Sequence, residues 1–259
     1  MHQPTSTDQS DASAPTRVAV IVCAVLEEEV RHFAEHHSEV IDLEVMEQGL
    51  HNEPDRLREE LQSAVHRMED RSAPDAIVLG YGLCSRGVVG VTTRQSRLVV
   101  PRAHDCITLL LGSKQRYADY VRENPGTYWY SPGWNRHHIP PGKDRYDALY
   151  AQYLERYGED NAEFLMEAEQ SWFREYNRAT WVDLGVGEID RQVDYTRECA
   201  DWLDWGFDRV DGDPALIRSM LSGAWDEREF LVLEPGQSIR MTADERVIEA
   251  TVEGRRIER

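Results

Sequence analysis

The chain has 259 residues, 41% of them apolar and 30% charged, and carries a net charge of −19 with histidine neutral. That length suits one large α/β domain or two small ones, and the apolar share can build a core, which excludes fibrous, collagen-like and wholly disordered chains. The acid surplus argues against nucleic acid, whose phosphates call for Lys and Arg, and against an anionic membrane surface, leaving a small-molecule substrate as the expected partner.

No segment approaches the roughly 18 apolar residues of a membrane span, and MHQPTSTDQSDASAPT lacks the basic and apolar regions of a signal peptide, so a cytoplasmic protein is expected. Four cysteines in such a chain are too few for a disulfide scaffold.

Residues 1–16 are polar and have no apolar face, which predicts a mobile tail. RVAVIVCAV (17–25) is a continuous β-branched run, as in a strand buried on both faces of a parallel sheet, and LEEEVRHFAEHH follows as a helix. IDLEVMEQG (41–49) alternates like a second strand, and EPDRLREELQSAVHRMED carries Leu57, Leu61, Val65 and Met68 on one helical face. DAIVLGYG (75–82) and SRLVVPRA (96–103) are the third and fourth strands. CITLLLGSKQRYADYVREN then reads as one helix, before the aromatic strand TYWY (127–130).

The alternation predicts an α/β fold with a doubly wound, mostly parallel, Rossmann-like sheet over 17–144. A helical insertion is expected at 145–178. A second, less regular α/β half with a C-terminal tail follows at 179–259, with EFLVLEPGQS as the last strand.

Ligands of open parallel sheets bind beyond the carboxyl ends of the strands. Cys23 ends the first strand, Cys84 follows the Gly-Tyr-Gly after the third, and Cys106 follows the fourth. With these strands as neighbours their ends lie about 5 Å apart, so short loops bring three sulfurs together. Thiolates select zinc or iron–sulfur clusters, and His104, two residues before Cys106, is a fourth candidate ligand. The sequence therefore points to zinc or a [4Fe-4S] cluster on Cys23, Cys84 and Cys106. Cys199, mid-helix in YTRECADWL, is assigned to packing.

In GLCSRGVVG, Gly82 permits close ligand approach, Ser85 adds a hydroxyl, and Arg86 is placed to hold an anion or lower the Cys84 pKa. Glu27, first of three acids opening the helix after Cys23, is a candidate base, although acids there also suit the helix dipole. His32 and His36 have metal-capable spacing but read as a solvated face, and His137-His138 sits in a Pro/Gly-rich segment suited to a lid.

At GYGLCSRGVVG, PRAHDCITLLLGSK and PGTYWYSPGW the chain resembles the uncharacterised bacterial and archaeal family called domain of unknown function 1638, over roughly residues 17–235. The family's recurring cysteines and H-D-C triplet correspond to Cys23, Cys84, and His104 with Cys106. The resemblance implies no established activity. It does imply a link to corrinoid-dependent methyl transfer, hence a corrinoid cofactor and a methyltransferase or corrinoid-protein partner. In its third motif Tyr130 and Trp134, with Pro132 and Gly133, would be a cleft wall.

Three functions follow as expectations: metal-thiolate methyl or thiol chemistry, a cofactor-independent cysteine acid/base enzyme of the racemase kind, and a non-catalytic metal or cofactor carrier or accessory subunit.

Overall fold

A computed structural model gives the fold and describes residues 15–252, so the polar tail expected at 1–16 falls almost wholly outside the described residues. Five strands form the central sheet: β1 (Val18–Cys23), β2 (Val40–Met46), β3 (Ala76–Gly80), β4 (Arg97–Pro101) and β8 (Phe230–Leu233), in the order β2-β1-β3-β4-β8. The first four run parallel and β8 closes one edge antiparallel to β4. The fold is mixed α/β with a mostly parallel central sheet.

The β1 sequence explains this placement. Every residue of VAVIVC is buried, and alternate side chains enter two separate cores. Ala19, Ile21 and Cys23 meet Leu57, Leu61, Ala64, Val65 and Met68 of α2 (Pro54–Ser72), whose apolar stripe has helical spacing. Val18, Val20 and Val22 belong to the opposite core, with α1 (Glu27–Ala34), α3 (Cys106–Leu111) and α9 (Ala215–Leu221). A residue such as Ile21, fully buried, contributes about 1.5–3 kcal/mol. A strand wet on either face would forgo half of that set.

The helix expected through CITLLLGSKQRYADYVREN is two helices. Gly112 adopts φ +72 and caps α3, Asp213 packs where its Cβ would be, and Ser113 then caps α4 (Lys114–Glu123) by accepting from Arg116 N at 3.3 Å.

The aromatic segment forms β5 (Thr127–Tyr130) of a second, parallel sheet with β6 (Arg178–Asp183) and β7 (Gly206–Asp211), in the order β5-β6-β7. Between β5 and β6 come α5 (Pro132–His137) and the helices α6 (Lys143–Tyr157) and α7 (Glu159–Ser171). The HHIPP segment is thus entered through a short helix, with Pro132 in its first turn and Ser131 capping Trp134 N. α8 (Ile189–Leu203) packs on the second sheet and buries Val193, Cys199 and Ala200. Where EFLVLEPGQS reads as the last strand, the chain continues into an antiparallel pair, β9 (Gln237–Met241) and β10 (Ile248–Val252). Among the described residues no helix is long and apolar enough to cross a membrane.

Candidate functional site

β1, β3 and β4 are consecutive in the central sheet, so the loops after them lie side by side beyond its carboxyl edge. The β3 loop is laced to the β4 loop: Leu83 N donates to Ala103 O at 2.8 Å and Cys84 N to His104 O at 3.2 Å. Gly82 permits this approach, because a Cβ there would lie 2.6 Å from Asp105 N.

The backbone then does something that residue spacing does not disclose. Cys84, Ser85 and Arg86 have φ of +44, +54 and +73, three successive non-glycine residues in the left-handed region. Each costs roughly 1–2 kcal/mol relative to right-handed geometry. The turn is held by Arg86 N to Leu83 O (2.9 Å), Gly87 N to Cys84 O (3.0 Å) and the ladder to the β4 loop. Such strain persists only where surroundings over-determine it, and it concentrates at functional sites.

Asp105 caps α3 by accepting from Ile107 N and Thr108 N, and also accepts from Tyr117 Oη at 2.9 Å. This fixes Cys106 as the first helical residue. On the other flank α5 lies so close to the Cys23 loop that a Cβ at Gly133 would overlap the Val25 carbonyl. That docking swings Trp134 over the strand ends.

Two adjoining spaces result. The outer cleft, about 370 Å³, is lined by Cys84, Ser85, His104 and Cys106 on one side and by Tyr128, Trp129, Trp134 and Tyr176 on the other. Behind it an inner chamber of about 30 Å³ is lined by Cys23, Tyr81, Cys84, Cys106, His51 and Trp134, among others. Cys84, Cys106, His51 and Trp134 border both spaces. A larger recess of about 870 Å³ shares His104 with the cleft, but its cations are engaged: Arg228 with Asp226, Arg246 with Asp244, Lys114 with the Arg228 carbonyl, and Arg102 with the Glu227, Arg246 and Ile248 carbonyls.

Burial sets the protonation of the cleft. It pushes the Cys23 thiol up, carries Cys84 to about 12 with the Cys23 sulfur and Asp105 adding to the rise, and raises Cys106 well above the usual thiol range. Burial also lowers His51, whose ring stacks on Trp134 at 6.5 Å between centroids. At neutral pH the site therefore holds protonated thiols and an uncharged imidazole. His51 can accept a proton and the thiols can donate hydrogen bonds, weakly.

The arrangement of the side chains overturns the metal-binding function expected from Cys23, Cys84, Cys106 and His104. Among the described residues no group of three or more His, Cys, Asp or Glu side chains is arranged to hold a metal ion. Adjacent strand ends bring the three thiols to the walls of one chamber, whereas coordination requires sulfurs converging on one point about 2.3 Å away. His104 is exposed on the outer rim. Zinc, iron–sulfur and metal-thiolate methyl-transfer roles fall with that geometry.

The remaining expected residues are placed as follows. Gly82 holds the two loops together, and Ser85 and Trp134 line the cleft. Arg86 is exposed and borders neither space, while Glu27 meets Arg31 at 2.8 Å and His137 at 3.5 Å. Tyr130 is fully buried in the second sheet, its hydroxyl donating to Pro141 O at 3.0 Å. Cys199 packs in the same core. His51 and Tyr81 line the site without having been singled out by spacing. The signal for Tyr81 was its place within the strand-closing Gly-Tyr-Gly; His51 had none.

Neither curated proteins nor solved structures show a significant match to the chain. A family model described as a protein of unknown function (DUF1638) matches residues 45–221, a segment holding Tyr81, Cys84, His104, Cys106 and Trp134 and leaving Cys23 outside. With that much of its length matched, the chain belongs to the DUF1638 family.

Proposed function

We propose that the outer cleft binds a small, planar, uncharged molecule, and that His51 is its proton acceptor in any reaction on that molecule. The observation that carries this reading is Trp134. Its ring borders both spaces, and its indole Nε1, though shielded from solvent beside the Tyr128 hydroxyl, has no hydrogen-bond partner of proper geometry among the described residues. A shielded donor without an acceptor costs about 1–3 kcal/mol, which a ligand acceptor recovers.

Size and chemistry agree. About 370 Å³ lies at the lower end for small-molecule sites and suits one or two rings, and four aromatic side chains offer stacking faces. No lysine or arginine lines either space among the described residues, and the two carboxylates that do are already engaged, Asp105 by Ile107 N, Thr108 N and Tyr117 Oη and Glu47 by Arg56 at 3.5 Å, which favours a neutral guest. Arg145, whose charge reaches Tyr128, is paired with Glu169 at 2.5 Å. The strand order, with helices on both faces, also supports reading the sheet as doubly wound and Rossmann-like, with the cleft at the edge where such sheets bind ligands.

Fluorine NMR tests the reading with 6-fluoroquinoline, flat and bearing a ring-nitrogen acceptor, as the probe and 1,1-difluorocyclohexane as the puckered control. Binding should broaden the first signal and spare the second, and Trp134→Ala should weaken binding about tenfold or more. Equal broadening of both probes, or unchanged affinity in a normally folded Trp134→Ala protein, would refute it.

A further inference from the structure

The inner chamber presents a problem of its own. Tyr81 is 3% exposed, yet its hydroxyl has no hydrogen-bond partner among the described residues. The Cys23 sulfur lies beside it, but that contact lacks hydrogen-bond geometry, and a thiol is a poor acceptor in any case. The ring follows β3, ahead of the strained Cys84 turn, and packs within the buried cluster that holds Cys23, Leu50 and Leu57, which keeps the hydroxyl from bulk water.

The volume limits what could satisfy it. A space of about 30 Å³ holds one or two non-hydrogen atoms, far less than a ring, given that a single water needs roughly 10–15 Å³ measured this way. Cys84, Cys106, His51 and Trp134 line both spaces, so the chamber adjoins the outer cleft. A guest lying in the cleft can therefore extend one small group inward.

The lining also limits the charge of that group. Around Tyr81 stand three thiols, the His51 ring, Trp134, Val25, Leu50, Gly80 and a single carboxylate, Glu47, with no lysine or arginine among the described residues. An anionic oxygen there would lose its hydration and gain no counter-charge, whereas a neutral carbonyl loses little and accepts the phenol proton.

From this juxtaposition we propose that the inner chamber receives the carbonyl oxygen of the molecule bound in the outer cleft, with Tyr81 as its hydrogen-bond donor and the thiols as its close walls. The substrate class is thus a planar molecule bearing an uncharged carbonyl, such as an aryl ketone, aldehyde or amide. This rests on the cleft reading above and adds a specificity-determining residue to it.

Fluorine NMR titration of the full chain with 4-fluoroacetophenone, 1-ethyl-4-fluorobenzene and 4-fluorobenzoate provides the test. The ketone should bind about tenfold more tightly than the hydrocarbon, and the benzoate more weakly than either. Tyr81→Phe should remove the ketone's advantage over the hydrocarbon.

A second measurement needs no variant: the infrared carbonyl band of carbonyl-13C-labelled ketone, bound to the native protein, should lie below its position in a hydrocarbon solvent. Equal affinities for ketone and hydrocarbon, a preference that survives Tyr81→Phe, benzoate binding as tightly as ketone, or a bound band at the hydrocarbon-solvent position would each overturn the proposal. Hydrocarbon binding without a ketone preference removes the chamber assignment alone, whereas failure of all three probes to bind removes the cleft reading with it.

Discussion

Glu29 permits a pH experiment whose sign and size follow from its surroundings. The side chain sits in the first turn of α1, is completely buried, and neither carboxyl oxygen has a hydrogen-bond partner among the described residues. Burial lifts its pKa from an ordinary 4.5 to about 7, with Glu28 adding to the rise and its own backbone N–H and Arg136 opposing it. In the native state the proton is therefore held across a range where the unfolded chain releases it. A raised folded-state pKa means stability that is complete below about pH 4.5 and declines as pH rises through 7. At 1.36 kcal/mol per unit, the shift corresponds to roughly 3 kcal/mol lost between the two pH limits. Glu29→Met removes the titration while keeping an apolar side chain of similar length. Urea unfolding followed by circular dichroism at pH 5 and pH 8 gives a double difference between native and variant chains. The variant should lose about 2–3 kcal/mol less than the native protein over that interval. Equal pH dependence of the two proteins would show that the carboxyl is solvated or paired in solution, and the account of its burial would fail.

Gly133→Ala places a methyl group against the Val25 carbonyl and should lower stability by about 2–4 kcal/mol in urea titrations while Trp134 fluorescence shifts toward that of an exposed indole. Unchanged stability would mean that α5 is not seated on the Cys23 loop. For the thiols, a rise from 9 to about 12 at Cys84 leaves on the order of a thousandfold less thiolate at pH 7.5 than in the unfolded chain. Iodoacetamide labelling followed by peptide mass spectrometry should find Cys84 nearly inert until the chain is unfolded, and rapid labelling of the native chain would contradict that.

Much of the architecture was legible because local rules carry it. The VAVIVC and AIVLG runs are long enough and branched enough to demand burial on both faces, and the Leu57, Leu61, Val65, Met68 stripe has only one regular conformation that aligns it. Parallel pairing then carries the chain past the same sheet edge after each strand, so loops with Cys23, Cys84 and Cys106 had to be neighbours once β1, β3 and β4 were adjacent. The break at Gly112 was harder to read, because the Asp213 segment that packs there comes a hundred residues later.

Side-chain direction beyond a strand end is a different kind of information. Whether three sulfurs meet at a point or stand around a space depends on turn dihedrals, and the left-handed run at Cys84, Ser85 and Arg86 uses residue types that give no warning of it. The same holds for the site's other members. His51 comes from the loop before α2, Tyr81 from the end of β3 and Trp134 from a helix seated on Val25, and only packing between distant segments gathers them. The amino-acid order thus determined the strands, the helix faces and the edge at which the three cysteine loops lie, because short-range periodicity and chain connectivity suffice for those. Tertiary packing alone decided that aromatic rings and protonated thiols line one cleft with no lysine or arginine among the described residues, because desolvation and long-range contacts, rather than residue spacing, set which groups face each other and which protons they keep.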